Sequence, residues 1–132
     1  MHKRFITTGA LLGAIAVALG AFGAHGLKKI VPAETVQAFQ TGVQYQMYHA
    51  LAILLTAVLY DKCYPKFVRI AGILFIIGII LFSGSLYLIT AGKAAEITSL
   101  DKAGIITPFG GVAFIAGWLF LFVAAMKKTE RS

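Results

Sequence analysis

Charge is what this chain has least of. Only 13% of its 132 residues are Asp, Glu, Lys or Arg, while 59% are hydrophobic and the mean hydropathy is +0.86. An ordinary soluble domain carries about a quarter charged residues. A soluble domain of this size buries about two-thirds of its chain surface and needs polar side chains over the rest. Twelve Lys/Arg, five Asp/Glu and three His are too few to supply them. Intrinsic disorder is excluded by the same figures, because disordered chains are poor in apolar residues. Acid is scarcest of all. Glu34, Asp61, Glu96, Asp101 and Glu130 all fall between the apolar runs, so no carboxylate sits within a run to carry a proton or help hold a metal. Cys63 is the only cysteine, which excludes a disulfide framework or a cysteine metal site.

What is present is long charge-free sequence. No Lys, Arg, Asp or Glu occurs from Phe5 to Leu27, Thr35 to Tyr60, Ile70 to Gly92, or Ala103 to Met126, each run being at least 23 residues long. A helix of about 20 residues crosses the ~30 Å hydrocarbon core. The sequence therefore predicts an all-α integral membrane four-helix bundle. It forms one domain over 1–132, with spans at about 5–27, 43–60, 70–92 and 105–126. The first run is longer than a signal peptide's apolar segment and reads as a span. The second is the weakest, since it holds Gln37, Gln40, Gln44, Gln46 and His49. Val31-Pro32-Ala33-Glu34 reads as a helix start. Beyond it Val36, Phe39, Val43 and Met47 recur at helical steps beside a polar face of Gln37, Gln40, Thr41, Gln44 and Tyr48. That pattern predicts an amphipathic interfacial helix leading into span two.

Four spans put both termini and the middle loop on one side. That side would carry Lys3, Arg4, Lys62, Lys66, Arg69, Lys127, Lys128 and Arg131, against Lys28, Lys29, Lys93 and Lys102 on the other. The excess of cations predicts cytoplasmic termini. It also makes anionic lipid headgroups, not nucleic acid, the expected partner of the net charge of +7.

Small residues mark where helices should meet. Gly9, Gly13, Ala16, Gly20 and Gly23 form a seam in the first span. Ala71, Gly78, Ser85 and Gly92 repeat every seven residues in the third, and Ala103, Gly110, Gly117 and Ala124 do so in the fourth. Helices in lipid associate through close van der Waals contact, which such seams allow, and a seven-residue repeat keeps them facing one another in a left-handed bundle. Some seams could serve a homo-oligomer or a larger membrane complex.

Polar residues inside the spans are the only places for chemistry. Under the inside-termini topology His25, Gln46, His49, Ser83, Ser85, Tyr87 and Thr107 fall at similar depth in the outer half of the bilayer. Polar groups in lipid need partners within the protein, so these residues are expected to face one another, either as a hydrogen-bonded clasp or as a small site. Two histidines on neighbouring helices invite a haem reading. His25 is bracketed by glycines at an interface, however, and no attachment motif is present, so no cofactor or metal is expected. Gly20–Gly26 resembles a phosphate-binding glycine loop only superficially, because it follows a membrane helix and not a strand. Ser83 and Ser85 have no base at a recognisable hydrolase spacing.

Four blocks, one per span, carry a family resemblance: Gly20–Leu27 (GAFGAHGL), Tyr45–Ala52 (YQMYHALA), Gly78–Leu88 (GIILFSGSLYL) and Ile106–Trp118 (ITPFGGVAFIAGW). Together they resemble domain-of-unknown-function family 423, an uncharacterised (UPF) family of small multi-pass membrane proteins of the YwdK and YgdD type. The resemblance implies a multi-pass protein of a bacterial plasma membrane and no activity, so it transfers no catalytic residue. The expectation is a structural or interaction component of the membrane, or alternatively a small transport or permeation unit with an outer polar vestibule.

Overall fold

The computed structural model describes Met1–Lys127. Lys128, Glu130 and Arg131, which enter the charge comparison, lie outside the described residues. The fold is all-α. Helix α1 covers Lys3–His25 and α2 covers Ala33–Leu59. The third rod is continuous over Pro65–Ala95 but built in three pieces: α3 (Pro65–Gly78), a π-helical turn (Ile79–Ser83) and α4 (Gly84–Ala95). Helix α5 covers Thr107–Met126 after a 3₁₀ segment, Thr98–Ile105.

Three helical stretches are long and apolar enough to cross a membrane: Lys3–Lys29, Pro65–Ala95 and Thr98–Met126. The α2 helix is long enough, but its polar residues keep it out of that set. The helix start read at Val31–Glu34 is where α2 begins, and the stretch read as interfacial is continuous with the rest of the helix. One helix runs unbroken from Ala33 to Leu59, with Pro32 as its extended N-cap and Glu34 in its first turn.

The continuity has a packing cause: α2 lies antiparallel along the whole of α1. A Cβ added at Gly9 would sit 2.9 Å from Leu54, and one at Gly23 would sit 2.9 Å from the Phe39 ring, with Gly20 facing Val43 in between. At the lower end the His2 N–H donates to the Ala57 carbonyl (3.1 Å). The first ten residues of α2 therefore pack on α1 and on Leu27 and Val31 of the connecting turn. They do not lie apart on a surface.

The third rod and α5 pair in the same way. A Cβ on Gly117 would lie 2.6 Å from the Phe75 ring, one on Gly78 would strike the Phe114 ring, and one on Gly110 would strike the Phe82 backbone. The Tyr64 N–H donates to the Ala124 carbonyl (3.2 Å) and closes the lower end. Across the centre, Ile53, Ala57, Val68, Ala71, Phe75 and Ala124 form the core. Leu11, Ile15, Leu51, Leu55, Ile80, Phe109, Val112, Ile115, Leu119 and Phe122 remain exposed on the outside. An apolar exterior of this extent suits lipid contact.

Candidate functional site

The polar residues singled out in the sequence sit on different helices, and each buried one finds a partner across a helix boundary or on its own backbone. Gln46 is 2% exposed. Its Nε2 donates to the Leu12 carbonyl of α1 (2.8 Å), and its Oε1 accepts from the Tyr87 hydroxyl of α4 (2.6 Å). One amide thus joins three helices. Ser83, fully buried at the end of the π turn, donates its Oγ to the Gly42 carbonyl of α2 (2.6 Å). Gly42 permits that approach, since a Cβ there would meet Tyr87 and Leu86 at 3.2 and 3.3 Å. Ser85 donates to the Phe82 carbonyl (2.8 Å) and lies 2.5 Å from Thr107 Oγ1 at the start of α5. A serine hydroxyl has one proton, so Thr107 is the donor in that pair.

His49 is enclosed by aromatic rings. Its imidazole stacks on Phe114 with 3.5 Å between centroids and 8° between planes, and Phe75 and Trp118 close the sides. The Trp118 Nε1–H donates to His49 Nε2 (3.1 Å), and His49 Nδ1 lies 2.7 Å from the Tyr45 carbonyl. An indole nitrogen can only donate. Nε2 is therefore the acceptor and Nδ1 carries the proton that bonds Tyr45. Both ring nitrogens are engaged, so an axial metal bond at either would first break one of these contacts.

His25 is not brought to the others. It is exposed on the last turn of α1, and its side chain makes no hydrogen bond or ring contact among the described residues. The helix register explains the separation. Gln46 lies beside Leu12, and the 13 residues from Leu12 to His25 correspond to about 20 Å of helix. The same register places Gln46 near the middle of α1.

The small-residue seams are distributed as follows. Gly9, Ala16 and Gly23 of α1 are buried, with Gly13 and Gly20 half-buried; Ala71, Gly78, Ser85, Gly92, Gly110, Gly117 and Ala124 are buried. Ala50 and Ala57 do the same for α2.

Trp118 and the Leu12 and Gly42 carbonyls were missed in the sequence. Trp118 reads there as part of an apolar run, although a lone indole donor at mid-helix needs an acceptor, and that was the available signal. The Leu12 carbonyl gives no side-chain signal at all. Among the described residues no buried side-chain nitrogen or oxygen lacks a partner. Four clefts of 160–390 Å³ are lined by other residues, at the two ends of the bundle and on its apolar flank.

Comparison with known proteins matches this chain to a family model described as a protein of unknown function (DUF423), over residues 19–111. The chain is 48% identical to the UPF0382 membrane protein YwdK of Bacillus subtilis over 126 residues, covering 95% of this chain and 98% of that protein. It is 41% identical to a UPF0382 membrane protein of Haemophilus influenzae, covering 96% and 97%. It is 39% identical to the UPF0382 inner membrane protein YgdD of Escherichia coli, covering 96% and 93%. No solved structure matches. The chain belongs to the DUF423/UPF0382 family of multi-pass membrane proteins, whose function is uncharacterised.

Proposed function

We propose that this member of the DUF423/UPF0382 family is a four-span plasma-membrane protein in which α2 crosses between the other spans, and that it serves as a structural or interaction component. The observation that carries this reading is the set of polar ties. Leu12 to Gln46 joins α1 and α2; Gln46 to Tyr87 and Gly42 to Ser83 join α2 to the third rod; Ser85 to Thr107 joins that rod to α5; and Trp118 to His49 returns from α5 to α2. Every helix receives at least one tie, and the last three junctions close a ring. Groups that satisfy one another this fully hold a bundle in a single arrangement and offer a passing solute no free donor or acceptor. The reading as a clasp is favoured over an outer vestibule for that reason.

The same reading assigns both termini to the cytoplasm, on the excess of Lys and Arg at that end. Its expected neighbours are anionic headgroups and, through apolar faces such as Phe109, Val112 and Phe122 of α5, a second copy or a larger membrane assembly. Reconstitution tests the choice between clasp and path. Vesicles holding the purified protein should pass protons, potassium and small polar solutes no faster than protein-free vesicles, and Gln46→Leu should lower thermal stability without changing the flux. A flux that depends on the protein and disappears with Gln46→Leu would establish a permeation unit instead.

A further inference from the structure

The end of the bundle that carries the N terminus holds a cleft of about 390 Å³ between α1 and α3. Its floor is aromatic. The Phe5 ring lies over Gly72, where a Cβ would clash with it, and His2 stacks on Phe5 with 4.0 Å between centroids and meets the edge of Tyr60. The remaining walls are ordered by depth. Arg4 stands at the second residue of α1 and Arg69 at the fifth of α3, both exposed. One turn further in lies Thr8 on α1, and one and two turns beyond Arg69 lie Ile73 and Ile76 on α3. The cleft is thus cationic at its shallow end and apolar at its deep end.

Neither arginine has an ion-pair partner among the described residues; the ion pairs there are Met1 ammonium with Asp61 and Lys93 with Asp101. Two guanidinium groups facing one small cleft repel each other unless an anion lies between them. Arginine's planar fork fits phosphate oxygens two at a time. The N-termini of α1 and α3 add positive potential at the same end. A ligand matching this order has a negatively charged phosphate at one end and hydrocarbon at the other, which describes an anionic phospholipid standing in its own leaflet. Basic pockets between membrane helices are suited to such headgroups.

We propose that this cleft is an anionic phospholipid site, with Arg4 and Arg69 holding the phosphate, Thr8 facing the glycerol region, and Ile73 and Ile76 bordering the first carbons of an acyl chain. The site is more specific than a general attraction of the basic end for lipid, and it rests on neither the clasp nor the orientation of the termini.

Delipidated protein in dodecyl maltoside, followed by native mass spectrometry and thermal unfolding, provides the test. Dioleoyl phosphatidylglycerol should form a one-to-one adduct and raise the unfolding temperature, while dioleoyl phosphatidylcholine and inorganic phosphate at equal concentration should do neither. Arg4→Gln with Arg69→Gln should weaken the adduct about 25-fold, at about fivefold per arginine. Lys62→Gln with Lys66→Gln removes the same charge from the same end outside the cleft and should change Kd less than twofold. Thr8→Trp, which fills the cleft and keeps both arginines, should also abolish the adduct, so the proposal remains testable if the arginine variant does not fold. Equal losses in the two double variants would reduce the effect to diffuse surface charge and overturn the proposal. A response to inorganic phosphate matching that to the lipid, or equal binding of the two lipids, would overturn it as well.

Discussion

Helices α2 and α5 belong to one bundle and distribute polarity in different ways. In α5 the buried face is made of small or apolar residues, Gly110, Ala113, Phe114, Gly117, Leu121 and Ala124, while Phe109, Val112, Ile115, Leu119 and Phe122 point outward. Its apolar character marks it at once as a membrane helix. The buried face of α2 carries Thr35, Gln46, His49 and Thr56, and its exposed face includes Leu51, Leu55 and Val58. Averaged along its length, α2 looks too polar to cross. Resolved by face, its core-forming half presents Leu51, Leu55 and Val58 outward and one amide and one imidazole inward. A helix surrounded by others can spend its inner face on hydrogen bonds, because its lipid contact is made elsewhere. Under the four-span proposal, mean hydropathy undervalues α2 because it averages its two faces together.

Substitutions can break that contrast, and the largest effect belongs to the close-packed side. At Gly110 an added Cβ would collide with the Phe82 backbone, which cannot rotate away. Gly110→Val should cost about 3 kcal/mol or more, or prevent recovery of monodisperse protein. At the neighbouring Gly111 an added Cβ meets nothing within 4 Å, and Gly111→Ala should stay within about 0.5 kcal/mol of wild type. Equilibrium unfolding in mixed dodecyl sulfate and maltoside micelles, followed by circular dichroism, measures both.

The polar side should yield smaller losses. Gln46→Leu removes the bonds to Leu12 and Tyr87, an expected cost of about 2 kcal/mol. Adding Tyr87→Phe should cost little more, giving a coupling energy of about 1 kcal/mol in the double-mutant cycle. Independent, additive losses would mean that the amide and the phenol do not act as a tie. His49→Phe keeps the ring stack on Phe114 but drops the Trp118 bond. It should cost about 1 kcal/mol, and Trp118→Phe should add almost nothing on top. The smallest effect lies outside both interfaces. Glu96 ends α4 with φ 58°, the one non-glycine residue at positive φ among those described. Glu96→Gly should stabilise the protein by about 0.5–1 kcal/mol without altering the α2 or α5 couplings.

The sequence made much of this legible because charges cannot enter hydrocarbon. The gap from Phe5 to Leu27 lies within two residues of α1, and the gap ending at Met126 ends where α5 does. The third gap falls short of its rod at both ends, because Lys66 and Arg69 stand in the first turns of α3 and Lys93 stands in the last turn of α4, all at exposed positions. What stayed hidden depends on neighbours. The start of α2 was legible at Val31–Glu34, but its packing along α1, Leu27 and Val31 was not. The π turn at Ile79–Ser83 leaves no compositional trace, yet it delivers Ser83 to α2 while Ser85 meets α5. The polar residues were visible as a set, but their partners were not. The partners that Gln46 and Ser83 reach on other helices include main-chain carbonyls, at Leu12 and Gly42, and every residue type carries such a group. His25 looked equivalent to His49 because the inside-termini topology puts both at similar depth, and the helix register separates them.

The claim on which the rest depends is that α2 crosses the membrane. Lys29 and Lys66 flank it at opposite ends and are both exposed. In a Cys63→Ser background, Lys29→Cys and Lys66→Cys are each treated with a membrane-impermeant maleimide in intact and in permeabilised cells. The account predicts that the Lys29→Cys protein labels in intact cells and that the Lys66→Cys protein labels only after permeabilisation. The reverse pattern would overturn the assigned orientation but keep the crossing. Labelling of both from the same side would mean that α2 does not span, and would contradict the account at its centre.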